Sequence, residues 1–335
     1  MYYFIGIKSS NKAKNDIDEL MLRKGFRDAS VRFSQEGMIN RYMHKLFSMA
    51  KLFFTLKKGD VLLIQYPFKK FYVCQCAISH MKGARTVTLI HDLGTFRRHK
   101  LTASQEIAKL SHTDYIIVHN PCMMKWLKDN GCEIPMGSLD IFDYLSDSQP
   151  HDYEIEWPYN HIIYAGGFGQ RKNAFIYSLD SLIAGCKVDL YGKGKLEISS
   201  EWHNINFYGP KQSDKFIAEI EGHWGLVWDG DSTEECSGNW GEYLRINNPH
   251  KASFYLRAGL PVIVWSESAM ASFVKEQEIG ICISALSQLP EVLSGISKEE
   301  YMRLRSNALQ MKDKLQKGYY FNKSFDEALK VIAEK

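Results

Sequence analysis

The chain has 335 residues, which at roughly 100–200 residues per domain implies two domains. Its 45% hydrophobic and 24% charged residues exclude a collagen-like, coiled-coil or disordered chain. Forty-two Lys+Arg against 39 Asp+Glu leave a net charge of +3, too balanced for a protein that coats nucleic acid, so no nucleic-acid partner is expected.

In chain order, Tyr2–Ile7 reads as a strand, followed by a polar turn over Lys8–Asn15 and a helix over Asp16–Lys24. Met38–Lys58 has helical period. Ile39, Tyr42, Met43, Leu46, Met49, Ala50 and Phe53 fall on one face, with Arg41, His44, Lys45 and Lys51 largely opposite. Such a helix is either buried in its domain, a subunit contact, or a basic amphipathic element lying in a membrane interface; all three readings stay open. Val61–Tyr66, Thr86–His91 and Tyr115–His119 are further strands, the last followed by a helix that Asn120 caps and Pro121 opens. Ser146–Pro158 is polar, acidic and bounded by prolines, and reads as a linker. After it come strands at His161–Ala165, Lys187–Tyr191, Ile205–Tyr208, Gly225–Trp228 and Pro261–Trp265, then helices over Lys298–Lys317 and Phe325–Ala333. Short runs rich in β-branched residues, alternating with helices, predict two doubly wound α/β domains, with residues 1–150 and 151–318 as the division.

Seven scattered cysteines without a CxxC pair predict neither a zinc ribbon nor a redox site, and reduced thiols fit a cytoplasmic protein. Cys74, Cys76 and His80 lack a fourth ligand, so no metal is expected there. The N-terminus has no signal-peptide pattern, and no apolar run reaches the ~18–20 residues of a membrane span.

Three segments of the second half carry the chemistry. Tyr164–Asn173 (YAGGFGQRKN) runs from a strand into glycines and two cations: Gly166, Gly167 and Phe168 present backbone, and Arg171 and Lys172 offer charge to a phosphate. It matches neither GxGxxG nor a P-loop, and a plain tight turn fits as well. Asn247–Lys251 (NNPHK) opens a helix with Asn248 as N-cap and Pro249 at the first position. Gly259 closes it. His250 and Lys251 then lie beside the positive end of the dipole, where a lysine is unfavourable unless an anion joins it. Tyr191 and Gly192 end the next strand, where Tyr191 stacks on a base or plugs the sheet.

The run Gly225–Ile281 (GLVWDG…NPHKASFYLRAGLPVIVW…IGICI), together with Ile90–Arg97 (IHDLGTFR), resembles bacterial glycosyltransferases of the GT-B fold. The likeness is greatest to β-1,6-galactofuranosyltransferase-like proteins and to glucosyltransferases that extend N-acetylglucosamine on serine-rich adhesins. The resemblance implies an acceptor domain at 1–150, a nucleotide-sugar domain at 151–318 facing it across a cleft, and a final helix (319–335) returning to the first domain. It implies transfer of a hexose, glucose or galactofuranose in class, from a UDP-sugar to a glycan acceptor in surface polysaccharide or glycoprotein synthesis. On this reading Arg171 and Lys251 stabilise the leaving diphosphate without a metal. Asp92 at the end of its strand is the base, with His91 as alternative, and Ser10, Gly94, Arg97 and Asp229 lie on the acceptor or sugar side. Retaining GT-B enzymes often carry a spaced pair of glutamates; Ile246 and Phe254 stand in those places here, so ribose binding is expected to differ. An epimerase on the same frame and a non-catalytic partner of another transferase are the competing readings. The expected location is cytoplasmic, with the inner membrane face and a homo-oligomer left open.

Overall fold

Val61–Tyr66 is buried along nearly its whole length, as apolar runs without alternation require when a strand is covered on both faces. It lies at the middle of the first of two parallel sheets. The computed structural model describes the chain apart from residues 7–8, 32–37, 69–70, 97–98, 195–201 and 335, and apart from the side chains at 38–39, 41 and 170–171.

The chain divides into two units, one formed by Met1–Leu139 with the stretch from Tyr320 onwards, the other by Asp140–Tyr319. The first unit's sheet comprises β1 (Tyr2–Phe4), β2 (Arg27–Asp28), β3 (Val61–Tyr66), β4 (Arg85–Ile90), β5 (Tyr115–Val118) and β6 (Met136–Ser138), in the order β2-β1-β3-β4-β5-β6. Every pairing is parallel. The connecting helices are α1 (Lys12–Arg23), α2 (Met38–Thr55), α3 (Tyr72–Met81), α4 (Ala103–Leu110) and α5 (Pro121–Asp129). Asn120 caps α5 by accepting from the Met123 amide at 2.9 Å, with Pro121 in the first turn, as its sequence predicts.

The second sheet holds β7 (His161–Gly167), β8 (Lys187–Lys193), β9 (Ile205–Gly209), β10 (Trp224–Val227), β11 (Val262–Trp265) and β12 (Gly280–Ile283), ordered β12-β11-β10-β7-β8-β9 and also parallel. This is the strand order of a dinucleotide-binding fold, whose ligands sit beyond the carboxyl ends of the strands where the order reverses. Its helices are α6 (Gln170–Asn173), α7 (Ser213–Glu219), α8 (Gly238–Gly241), α9 (His250–Arg257), α10 (Ala271–Glu276), α11 (Leu289–Ser294) and α12 (Lys298–Gln316). The last helix, α13 (Tyr319–Ala333), packs Phe325 against Tyr2 and Phe26 of the first unit, with ring centroids 5.4 and 4.9 Å away. The second core is rich in tryptophan: Trp224, Trp228 and Trp265 are all buried among the aliphatic side chains of β7, β8 and β10.

Three sequence expectations are corrected. The first strand stops at Phe4 because the Gly6 amide leaves the ladder to donate to Asp28 Oδ1 at 3.1 Å. Helix α1 begins at Lys12, inside the expected polar turn, and the Lys12–Asp16 pair closes its first turn. The expected linker 146–158 is packed onto the second unit. The wholly buried Arg257 donates to the carbonyls of Ser146 (2.8 Å) and Ser148 (2.6 Å), and the Tyr153 hydroxyl accepts from the Gly222 amide (3.2 Å) and from Arg305 (3.1 Å).

The seven cysteines are unpaired. Burial pushes the Cys76 thiol up to about 12, and His80 turns to Asp114 at 2.9 Å, so the Cys74–Cys76–His80 stretch is structural. Among the described residues no helix is long and apolar enough to cross a membrane, and no group of three or more His, Cys, Asp or Glu side chains is placed to hold a metal.

Candidate active site

The ends of β7 and β8 run side by side, Gly166 opposite Gly192 and Gly167 opposite Lys193. Their approach needs glycine. A Cβ on Gly192, whose φ is +157°, would lie 1.6 Å from the Gly166 carbonyl oxygen. The same contact leaves Phe168 donating its amide to the Lys193 carbonyl at 2.8 Å, with its ring in the core. Phe168 was expected to meet the ligand; burial among Tyr164, Phe207 and their neighbours makes it a packing residue instead.

Beside these strand ends lies a cavity of about 340 Å³, lined by the backbone of Gly166, Gly167 and Gly192 and by Tyr191, Lys193, Lys211, Phe216 and Phe254. One wall is aromatic. Phe216 packs on Phe254 at 4.3 Å between centroids and meets Tyr191 edge-on at 5.4 Å. Tyr191 stacks on Tyr208 at 5.2 Å and has the Lys211 ammonium 5.9 Å from its centroid. Burial and the nearby Asp189 carboxylate hold the Tyr191 hydroxyl neutral, well above its ordinary range. Apolar ring faces beside two lysines and glycine backbone at the strand ends match a flat heterocycle carrying phosphate.

A second cluster lies between the ends of β7 and β10. Lys251, in the first turn of α9, reaches Asp229 Oδ1 at 2.8 Å, the Tyr164 hydroxyl at 3.0 Å and the Trp228 carbonyl at 3.3 Å, with its ammonium 4.3 Å from the Tyr164 ring centre. Its side chain is only 10% exposed. Lys172 approaches the other oxygen of Asp229 at 3.3 Å and lies over the Trp240 ring. Burial alone would raise the Asp229 pKa; Lys251 and then Lys172 outweigh it and hold the carboxyl below its usual range. Burial, first, and the Asp229 charge, second, raise the Tyr164 hydroxyl well above its usual range, so it stays protonated. Two ammoniums share one carboxylate.

This corrects the reading of Lys251 as an exposed lysine waiting for an anion: its first partner is a protein carboxylate. The cap shifts by one residue, with Pro249 as N-cap and His250 opening α9, while Gly259 at φ +75° ends it as expected. Asn248 is buried and gives its amide to the Asp140 carbonyl at 2.5 Å. His250 stacks on Tyr144 at 4.8 Å and lies 3.4 Å from the Asp143 carbonyl. These two expected ligand contacts therefore fasten the 140–144 segment along α9. The Arg171 side chain lies outside the described residues.

In the first unit, Asp92 is half-buried just beyond β4. Its charge reaches Lys14 and the buried His119, whose pKa burial lowers to about 4. His91 is buried with Nε2 2.6 Å from Gln65 Oε1, and Gln65 in turn donates to Asp18 at 2.6 Å. Gly94 lies in a loop held by the buried Glu106, which accepts from the Thr95 amide (2.8 Å) and hydroxyl (2.9 Å) and from Tyr66. Ser10 is exposed before α1, and Arg97 is outside the described residues.

The comparisons with known proteins fall on both units. Residues 6–141 match the glucosyltransferase 3-like N-terminal domain, and 162–328 match the glucosyltransferase 3-like C-terminal domain. The chain belongs to the glucosyltransferase 3-like family. It is 28% identical over 305 residues to the beta-1,6-galactofuranosyltransferase WbbI of Escherichia coli (strain K12), covering 88% of this chain and 86% of that protein. It is 23% identical over 342 residues to glucosyltransferase 3 of Streptococcus gordonii, with 98% and 96% covered. Among solved structures, the lipopolysaccharide outer core galactosyltransferase WaaB superposes with a TM-score of 0.58 at 8% identity over 98% of this chain and 99% of that one. The N-terminal domain of Candida albicans trehalose-6-phosphate phosphatase gives 0.55 at 10%, covering 96% and 94%. The fold is GT-B, and the chain is a glycosyltransferase.

Within this glycosyltransferase the structure gathers Gly166, Gly167, Tyr191 and Gly192 around one cavity, and Lys172, Lys251 and Asp229 into one cluster. It adds Tyr164, Lys193, Lys211, Phe216 and Phe254, which the sequence reading left out of the site. Phe254, one of the two positions at which the resemblance led to an expected difference, forms part of the cavity wall.

Proposed function

We propose that the protein transfers a hexose from a UDP-sugar to a glycan acceptor, with the nucleotide held by the second unit. The observation that carries the reading is the pair of ammoniums, Lys251 and Lys172, gathered on Asp229 near a strand-end cavity with aromatic walls. The base lies against Tyr191, Phe216 and Phe254, and the strand-end amides of Gly166 and Gly167 meet the phosphates. Lys251 and Lys172, with Arg171 next to Lys172 in sequence, offset the charge that grows on the leaving diphosphate as the glycosidic bond breaks. Asp229 holds both ammoniums in place, so little reorganisation is needed when that charge appears. No metal is assigned to this step. Asp92 takes the acceptor hydroxyl proton; His91 is less suited because its ring is buried and committed to Gln65. The names of the matched relatives support glucose or galactofuranose as the sugar.

Calorimetric titration of UDP into the intact protein tests the reading. Binding that weakens at least ~10-fold in Lys193→Ala/Lys211→Ala supports the cavity as the nucleotide site. No binding of UDP to the folded protein refutes it.

A further inference from the structure

Helix α2 turns its apolar side outward. Ser48, Met49 and Leu52 face the core, with Leu56 just beyond the helix, whereas Tyr42, Leu46, Phe47, Ala50, Phe53 and Phe54 are exposed, Phe54 by 81%. At 100° per residue those exposed positions form one continuous sector of the helix, and no charged side chain falls inside it. Met81, at the end of α3, is 68% exposed, and the neighbouring Lys82 ammonium lies 4.8 Å from the centre of the Phe53 ring. An exposed aromatic face of this extent on a globular domain marks a docking surface.

Its surroundings identify the occupant. Residues 37–91 contain nine lysines and arginines and one acid, Asp60, although the whole chain carries only +3. Asp60 is buried and bound to the N-terminal ammonium at 2.9 Å, so it does not offset the surface charge. Lys57 and Lys58 are exposed in the turn after the helix, while Lys51, also exposed, donates to the Ser30 carbonyl at 3.0 Å. A second copy docking through the same face would bring these cations against their own kind, which disfavours self-association.

We propose that α2 docks the first unit onto an anionic lipid bilayer, with Phe53, Phe54 and Leu46 entering the interface and the lysines meeting lipid phosphates. The helix lies in the membrane surface and does not cross it. Aromatic and aliphatic burial supplies hydrophobic affinity, and each nearby lysine adds salt-sensitive attraction. The proposal is independent of the donor assignment, because vesicle binding is read without turnover.

Co-sedimentation of the full chain with phosphatidylcholine vesicles, with and without phosphatidylglycerol, tests it. Binding is expected with the anionic lipid only, and weakened by high salt. Leu46→Glu/Phe54→Glu is expected to lower that binding at least ~10-fold, since it removes two of the apolar side chains that enter the interface and adds like charge facing anionic lipid. Both positions are exposed, so the melting temperature and UDP binding should not move. Equal binding to both vesicles, unchanged binding by the variant, or no binding by the parent overturns the proposal. So does a dimer in sedimentation velocity that the same variant dissolves, which would assign the face to a second copy.

Discussion

Replacing Lys251 by alanine separates the structural from the chemical role of the buried cluster. Asp229 is buried and receives Lys251 at 2.8 Å on one oxygen and Lys172 at 3.3 Å on the other. Removing one partner of a buried ion pair costs about 3–5 kcal/mol, because the remaining charge is left without compensation. Lys172 still faces Asp229, which places the expected loss at the lower end, about 3 kcal/mol. Domains of ordinary stability survive that loss at 25 °C. Urea unfolding measures it. Lys251→Met/Asp229→Asn removes both charges while keeping their volumes, and is expected to recover all but about 1 kcal/mol. Activity should behave differently. Both variants lack the ammonium proposed to meet the leaving diphosphate, so each is expected to lose roughly two orders of magnitude in kcat/KM, measured where the protein is fully folded. A single variant that loses under about 1 kcal/mol contradicts the buried pair. A double variant that regains normal turnover shows Lys251 to be structural only, and the placement of the diphosphate then fails.

Further expectations concern pH, glycine and metal. Burial first, then His161 and Arg305, depress His223 to about 4, and its Nδ1 accepts from the His161 amide at 3.0 Å; burial likewise depresses His119 to about 4. The unfolded chain takes up protons below about pH 6.5 and the folded one does not until about 4, so stability falls as pH drops through that window. Urea unfolding at pH 7.5 and 5.0 should show a loss of roughly 2 kcal/mol per histidine, smaller in His119→Asn/His223→Asn; a flat profile contradicts the burial argument. Gly192→Ala forces a Cβ to within 1.6 Å of the Gly166 carbonyl, so it should destabilise by more than about 2 kcal/mol and abolish UDP binding in calorimetry. Asp229 is engaged by two lysines and Asp231 by Ser237, so EDTA-treated enzyme should keep most of its transfer rate; loss restored by Mn²⁺ would assign both carboxylates to metal binding.

Much of this protein is written locally. Val61–Tyr66 is a strand because a run of branched and aromatic side chains has no polar face to expose, and its neighbours in the sheet obey the same rule. Asn120-Pro121 opens α5 and Gly259 closes α9 because cap geometry depends on a few adjacent residues. The glycines at the ends of β7 and β8 mark the end of the second sheet where the cavity lies. Elements of two or three residues, such as β2 and β6, have no such signature; they exist because neighbouring strands offer unpaired backbone groups. The cluster at Lys251 was illegible for a related reason. As a local reading, a lysine at a helix start against the dipole calls for an anion. The anion it finds first is Asp229, 22 residues earlier, under a tyrosine hydroxyl 87 residues earlier. Only the parallel pairing of β7 with β10 carries those side chains to the same place, and only burial at that place gives their charges the low-dielectric surroundings in which they interact strongly. In the same way, periodicity gave α2 an apolar side, but which side faces the core was decided by the packing of Ser48, Met49 and Leu52 inside the first unit.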